Sequence, residues 1–222
     1  MEHTAVVIMA KVPQAGSVKT RLCPPLSPQM AAELYQAFLA DKITQVGQLH
    51  HSRPTLAYTP EDSRTFFATF APECVLIPQQ GAGLGERLID CFQQCFRQGC
   101  TGVLAIDSDT PHLPTEYLQQ AVDLIALPQT DVVLGPTEDG GYYLIGLRAA
   151  YRELFDDMPW STAAVLPETV RRAQALGLTI RWLAPWFDID TVEELRRLQT
   201  MLRQLPTTTA PHTRAFLLEH QL

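Results

Sequence analysis

The sequence predicts a single three-layer α/β domain with helices on both faces of a mostly parallel sheet. Strand-like apolar runs alternate with amphipathic helical segments along about 200 residues. No linker-like stretch or internal repeat interrupts this alternation, and 222 residues, 46% of them hydrophobic, suffice for one good-sized core. We therefore predict one domain over residues 1–205, followed by a tail over residues 206–222 with a short amphipathic segment.

The individual elements follow from hydrophobic periodicity and from the turn residues between them. Strands are predicted at residues 4–10, 54–59, 74–77, 103–106, 131–135, 140–147 and 178–183. Helices are predicted at residues 27–48, 61–70, 161–176 and 191–204, and after residues 84 and 114. The strand at 140–147 follows a glycine turn and is expected to be antiparallel. Pro167 predicts a kink or a late start for its helix.

Composition excludes several classes of function. The net charge is −7 and no basic run exceeds two residues, which argues against a nucleic-acid partner. No apolar run approaches the length of a membrane span, and the N-terminus lacks the pattern of a signal peptide. The five cysteines form no CxxC pair and have no zinc spacing. These features favour a cytoplasmic protein.

Two acids follow the most apolar central strand directly. Asp107 and Asp109 come where the run at residues 103–106 ends. Ligands of open α/β sheets bind at the carboxyl ends of parallel strands. Mg²⁺ is usually held there by one or two carboxylates and by phosphate oxygens. The pair therefore predicts a site for Mg²⁺ or Mn²⁺; the alternative is that an aspartate here caps the next helix.

The loop after the first strand is rich in cations. Lys11, Lys19 and Arg21 fall within eleven residues, and Gly16 is the one glycine of this loop. Arginine binds phosphate bidentately and lysine binds it as a point charge. The loop does not match the GxxxxGK[ST] pattern of a P-loop ATPase. We predict that it binds nucleotide phosphates; the alternative is a solvated basic loop.

A glycine-rich turn, GAGLG at residues 81–85, opens the next helix. Its spacing does not match the dinucleotide fingerprint GxGxxG. Because glycine lets the backbone approach a ligand closely, we predict that Gly83 lies in a nucleotide cradle with Arg87 facing the phosphates or the base. The alternative is an ordinary turn that opens a helix.

Polar residues on the other side of the acids could hold an acceptor. The predicted rim follows the fifth strand and consists of Asp139, Gly140, Gly141 and Tyr142, with Trp160 as a wall. Asp-Gly and Gly-Gly also favour a tight turn, which is the alternative.

Four further residues have predicted roles. Ser161 or Thr162 is the predicted cap of the following helix. Asp188, just before the last helix, is a candidate metal ligand or base. The lone His112 is expected to be structural.

Seven segments in this order resemble a known family. They are KVPQAGSVKTRL (11–22), GAGLG (81–85), IDSDTPHLP (106–114), GPTEDGGYYLIGL (135–147), PWST (159–162), FDIDT (187–191) and TRAFL (213–217). They resemble an uncharacterised bacterial family of GT-A-type glycosyltransferases in the nucleotide-diphospho-sugar transferase superfamily, some members of which are linked to arsenosugar biosynthesis. The resemblance implies a Rossmann-like GT-A domain with a mixed sheet.

The resemblance also implies roles for individual residues. Lys11, Lys19 and Arg21 would meet the nucleotide phosphates; the residues themselves, and not the resemblance, add Gly16, Gly83 and Arg87 to the predicted nucleotide site. Asp107 and Asp109 would form the DxD metal site. Asp139 and Asp188 are the candidate catalytic acids, and the acceptor would contact Gly140, Gly141, Tyr142 and Trp160.

Three functions remain open at this point. The favoured one is metal-dependent transfer of a glycosyl group from a nucleotide-sugar to a small-molecule acceptor, because related nucleotidyltransferases usually have a more glycine-rich first loop. The second is a nucleotidyltransferase that joins NMP from an NTP to a phosphorylated small molecule and releases pyrophosphate. The third is a non-catalytic nucleotide-binding protein. The tail at residues 206–222 could pack either on the body or on a partner chain, and the second alternative would give a homodimer.

Overall fold

The computed structural model describes residues 4–222 and confirms the predicted α/β class. The strands are β1 (Thr4–Lys11), β2 (Ser52–Thr59), β3 (Val75–Pro78), β4 (Gly102–Ile106), β5 (Val132–Pro136), β6 (Tyr142–Leu147) and β7 (Ile180–Trp182). The helices are α1 (Pro28–Gly47), α2 (Arg64–Phe70), α3 (Leu84–Arg97), α4 (Thr115–Ile125), α5 (Val165–Ala175), α6 (Val192–Leu202) and α7 (Pro211–Glu219). Within residues 4–222, no helix combines the length and the apolar character needed to cross a membrane.

The sheet topology brings the first loop and the acidic pair to the same edge. The strand order is β3-β2-β1-β4-β6-β5-β7, and all pairings are parallel except those of β6, which is antiparallel to β4 and β5 as predicted. β1 and β4 are hydrogen-bonded neighbours that end side by side, with Ile8 opposite Ile106. Because both strands run the same way, the chain leaves both at one edge of the sheet.

Alternating residues of the central strands supply two apolar layers. Val6 and Ile8 face the layer that contains α1 and α4, whereas Ala5 and Val7 face the layer that contains α3. A third apolar cluster joins α1, α6 and α7. These layers fix the strand ends from which the loops of the cleft emerge.

Helix α5 has the late start that Pro167 predicted. The predicted start was residue 161, but the helix begins at Val165, so that Pro167 occupies its first turn. Proline fits there because the first N–H groups of a helix have no partner within the helix. The predicted cap was wrong, because Ala164 is the N-cap. The Thr162 hydroxyl donates to the Pro159 carbonyl and accepts the Ala164 N–H in the turn before the helix.

The C-terminal tail is an integral part of the packed body. Both oxygens of Asp41 on α1 accept hydrogen bonds from the first turn of α7, namely from the backbone N–H groups of His212 and Thr213 at 2.9 Å and the Thr213 hydroxyl at 2.6 Å. The Arg214 guanidinium donates to the Leu202 carbonyl at the end of α6. These contacts attach the start of α7 to α1, and Arg214 of the tail caps the C-terminal end of α6.

Thr213→Val removes one hydrogen bond at the start of α7 and should lower the free energy of unfolding by about 1 kcal/mol. Asp41→Ala removes all three and should lower it by about 2 kcal/mol. Urea denaturation followed by circular dichroism measures both values. Thr200→Val, on the exposed surface of α6, is the control and should change little. Equal stability of all three variants would contradict the anchoring role.

Candidate active site

The first loop shares one cleft with Asp109, the second acid of the predicted pair, whereas Asp107 does not line it. The cleft encloses about 360 Å³ at the carboxyl ends of β1 and β4. Its polar lining comes from four segments of the chain and includes Lys11, Lys19, Arg21, Tyr35, Ser108, Asp109 and Asp190. Cations and carboxylates therefore face the same space.

Lys19 is the centre of this cleft and connects three segments. Its ammonium lies 2.7 Å from Asp109 Oδ1, 2.8 Å from Asp190 Oδ1 and 2.7 Å from the Ile189 carbonyl oxygen. Burial opposes the charged form, but the two carboxylates outweigh it and raise the pKa of Lys19. Since an ammonium has three N–H donors, a phosphate would have to share Lys19 with these partners.

Two other cations of the first loop remain accessible. Lys11 is exposed at the end of β1. Arg21 has a side chain that is 70% exposed, with Nη1 3.7 Å from Asp190 Oδ2. These two side chains can reach a bound anion without breaking a buried contact. Gly16 adopts a φ of +80° in the turn closed by the Ser17 N–H and the Gln14 carbonyl, but it does not line the cleft.

Asp107 and Asp109 have different surroundings. Asp107 Oδ1 accepts a hydrogen bond from the Thr110 hydroxyl at 2.7 Å and lies 3.9 Å from the ammonium of Lys42. Burial raises the pKa of Asp107 to about 6, although Lys42 opposes the shift. Asp109 is paired with Lys19. The structure therefore splits the pair that the sequence predicted to act together.

The negative charge of Asp188 is repelled by three other carboxylates. Burial, then the charges of Asp190, Asp107 and Asp139, raise the pKa of Asp188 to about 7. Such repulsion is relieved when a cation binds, so Asp188 suits a divalent metal better than Asp109, whose charge Lys19 already balances.

The donor set fits a metal that is completed by its substrate. Among residues 4–222, no three His, Cys, Asp or Glu side chains converge closely enough to cage an ion on their own. Mg²⁺ seldom needs such a cage, because one or two carboxylates, water and phosphate oxygens usually complete its shell. Asp107 and Asp188 are carboxylates of that kind.

The predicted acceptor rim is a tightly built turn. Asp139 Oδ1 accepts hydrogen bonds from the Thr137 hydroxyl at 2.5 Å and from the Gly141 N–H at 3.1 Å. Gly140 has a φ of +93°, and a Cβ there would lie 2.6 Å from the Ala163 carbonyl oxygen. The turn alternative therefore explains these residues structurally, while Asp139 remains exposed.

Gly140→Ala should lower the free energy of unfolding by about 3 kcal/mol, because a left-handed backbone and a steric clash both oppose the methyl group. Gly16→Ala is the matched control: its φ is also positive, but a Cβ would meet no atom within 4 Å. That variant should lose only about 1 kcal/mol. Urea denaturation of both variants measures how much of the loss comes from the steric clash at Gly140. Equal losses of unfolding free energy in the two variants would show that this clash does not matter.

Two of the rim residues point into the protein. Tyr142 lies on the α5 side of β6 with its hydroxyl buried beside Thr169, and this burial raises its pKa. We therefore correct the prediction that Tyr142 contacts an acceptor. The register between β5 and β6 shifts between Gly135 and Pro136, and this shift puts Tyr142 on the same buried face as Ile145 and Leu147. Trp160 packs over Gly85, where a Cβ would lie 3.1 Å from the indole nitrogen. The PWST segment thus meets the glycine-rich turn.

The glycine-rich turn follows β3, two strands away from β1. Gly83 is the N-cap of α3, and Arg87 Nε donates to the Gly81 carbonyl at 3.1 Å. Neither Gly83 nor Arg87 lines the cleft. The helix-opening alternative describes this turn, and its nucleotide role stays a prediction.

Helix α1 contributes two residues that sequence reasoning missed. The Tyr35 hydroxyl accepts the Lys11 N–H at 3.1 Å and lies 2.9 Å from Ser108 Oγ, so it joins the ends of β1 and β4. Lys42, two turns further on, is fully buried behind Asp107, and burial lowers its pKa to about 8. The available signal was polar residues seven positions apart on an otherwise apolar helix face.

His112 does not line the cleft and packs among aromatic rings. It is fully buried, its ring centroid lies 4.4 Å from that of Phe187, and burial lowers its pKa to about 3. The ring is therefore neutral at physiological pH.

Comparisons with known proteins identify the family and the structural relatives of this chain. Residues 42–162 match the family described as "Uncharacterized protein conserved in bacteria (DUF2064)". The chain belongs to this family. A protein from Desulfovibrio desulfuricans G20, provisionally described as a nucleotide-diphospho-sugar transferase, is 33% identical to it and has a TM-score of 0.91, with all of this chain and 96% of that one aligned. The family and the superfamily fold expected from the motifs are thus confirmed.

More distant relatives are nucleotidyltransferases by name. The phosphoenolpyruvate guanylyltransferase of Mycobacterium marinum is 24% identical over 199 residues, 88% of each chain. A cytidylyltransferase from Leptospira borgpetersenii has a TM-score of 0.61 at 11% identity, with all of this chain and 96% of that one covered. At this identity the solved structure supports the shared fold alone.

Proposed function

We propose that this protein is a nucleotide- and metal-dependent transferase whose cleft binds the polyphosphate of a nucleotide. The observation that carries the proposal is the shared cleft itself, where accessible cations of the first loop face Asp109 after β4 and Asp190 before α6. The fold of nucleotide-sugar transferases and nucleotidyltransferases supports it.

The contacts of the residues in and beside the cleft indicate separate roles for them. Lys11 and Arg21 bind phosphate oxygens, because their charges are exposed. Lys19 holds the loop in place through Asp109 and Asp190. Asp107 and Asp188 would hold Mg²⁺ or Mn²⁺, which neutralises phosphate charge and stabilises the leaving group.

Nucleotidyl transfer is the reaction that we propose first. An acceptor oxygen attacks the α-phosphorus of an NTP, the bond to the β-phosphate oxygen breaks, and pyrophosphate leaves with the electron pair. The guanylyltransferase relative, aligned over most of both chains, supports this chemistry. Asp139, exposed near Asp188, is the candidate base for an acceptor hydroxyl. This order reverses the preference drawn from the first loop, which rested on the number of its glycines.

Glycosyl transfer is the second candidate, and the 33% identical relative favours it. In that reaction an acceptor oxygen attacks the anomeric carbon of a nucleotide-sugar, and the bond to the diphosphate breaks to release a nucleoside diphosphate. The same cations and carboxylates would serve, because the leaving group is again a diphosphate.

Release of the leaving group separates these reactions. The protein is incubated with each NTP, or with UDP-, GDP- and CDP-sugars, in the presence and absence of Mn²⁺ and with phosphorylated and neutral acceptors. Metal-dependent pyrophosphate release supports nucleotidyl transfer, and nucleoside diphosphate release supports glycosyl transfer. Metal-dependent binding without turnover would support the non-catalytic alternative, and no binding at all would overturn the proposal. The cytoplasmic location and the homodimer stay predictions.

A further inference from the structure

A second cavity lies behind the loop that carries the acids. It encloses about 590 Å³ between the C-terminal half of α1, the start of α4 and the connector at residues 205–211 that leads to α7. We refer to it as the connector cavity. The cleft and the connector cavity share no lining residue, since the loop after β4 presents Ser108 and Asp109 to the cleft but His112 and Leu113 to the cavity.

Buried polar atoms border the connector cavity. His112 lines it with none of its surface exposed, and neither ring nitrogen has a hydrogen-bond partner among residues 4–222. Gln45 Oε1 is likewise unpartnered, while its Nε2 donates to the Leu113 carbonyl at 2.6 Å. A buried polar group without a partner costs about 1–3 kcal/mol, so a ligand that bonds to these atoms gains affinity.

The lining indicates an uncharged ligand. No Lys or Arg lies among the described residues around the cavity. Of its carboxylates, Asp41 is committed to α7 and Glu116 is exposed. A phosphate or carboxylate would therefore meet these acids with no lysine or arginine to balance them. The remaining lining consists of the exposed imidazole of His50 and of amides, hydroxyls and aliphatic groups, which include Thr44, Gln48, Gln119, Thr208, Thr209, Leu49 and Leu205.

We propose that the connector cavity binds an uncharged polyhydroxylated molecule of monosaccharide size. Sugar hydroxyls both donate and accept, so they satisfy His112 and Gln45 Oε1 together, while the C–H face of the ring packs on the leucines. A volume of about 590 Å³ lies in the usual range for small-molecule sites. This site is separate from the nucleotide cleft and does not depend on the proposed reaction.

Ligand-observed saturation-transfer NMR on the full chain tests the proposal with glucose, galactose, mannose and myo-inositol, and with glucose 6-phosphate as the anionic counterpart. At least one neutral compound should bind, and its signal should persist in the presence of nucleotide and Mn²⁺. Glucose 6-phosphate should bind at least tenfold more weakly than glucose.

Thr44→Trp should abolish that signal by filling the cavity. Thr69→Trp is the matched control, because both threonines are exposed, helical and bonded to the carbonyl four residues earlier, and Thr69 does not line the cavity. His112→Phe, which keeps the ring packing, should weaken binding at least fivefold. The proposal is overturned if no neutral compound binds, if only the phosphate binds, or if the signal survives Thr44→Trp.

Discussion

Asp188→Asn is expected to reduce metal-dependent turnover by a factor of about 10²–10³, which corresponds to about 3–4 kcal/mol of transition-state stabilisation. The amide keeps the shape of the side chain but removes the charge that a divalent cation requires. Titration calorimetry with Mn²⁺ and nucleotide should show the same loss in binding, because the metal and the phosphates complete one site.

Asp62→Asn is the control for this experiment. Asp62 is an exposed acid in the turn before α2, and its loss should leave both turnover and Mn²⁺ binding unchanged. Normal metal binding by Asp188→Asn would show that Asp188 does not hold the ion. In that case, loss of turnover alone would assign it to proton transfer instead.

The same carboxylates predict the pH dependence of metal binding. Asp107 and Asp188, with pKa values of about 6 and 7, must lose their protons to bind a cation. Affinity for Mn²⁺ should therefore fall steeply as the pH drops from about 8 to 6 in the wild type, and less steeply in Asp188→Asn. Calorimetric titrations at several pH values measure this dependence, and parallel profiles would contradict it.

The metal-free protein should respond to pH in the opposite direction. Because the folded pKa values of these acids lie above the unfolded value of about 4, the native state binds more protons. Their contribution to stability is present at low pH and is lost as the pH rises through about 6 and 7. Saturating Mn²⁺ should reverse this trend in thermal unfolding, because it favours the ionised carboxylates.

Sequence patterns predicted the elements of this fold well because they depend on local periodicity. The buried run at residues 103–106 and the acids after it gave both a central strand and one edge of the cleft. The roles of Tyr35 and Lys42 could not be predicted in the same way, since each depends on which loop packs against α1. Likewise, the start of α5 depends on the packing of the Gly140 turn against Ala163 as well as on the helical pattern.

Long-range charge pairing was the main feature that the sequence did not reveal. A lysine in a basic loop indicates phosphate binding, and nothing local shows that Lys19 contacts residues 170 positions away. Its left-handed backbone, with a φ of 49°, places the ammonium between Asp109 and Asp190. The loop is thus shaped by its partners in the fold.

Lys19→Met should therefore lower the free energy of unfolding by about 2–3 kcal/mol, because it leaves two facing carboxylates without their cation, and their partial exposure keeps the loss below that of a fully buried pair. It should also weaken nucleotide binding at least tenfold by releasing the loop. Lys11→Met is the matched control: Lys11 is exposed in the same cleft, so its loss should weaken nucleotide binding with little change in stability. Denaturation and nucleotide titration of both variants distinguish a lysine that holds the loop in place from a lysine that only binds phosphate. If Lys19→Met matched Lys11→Met in stability, Lys19 would be a phosphate ligand alone, and the cleft would owe its shape to Tyr35 and the strand ends instead.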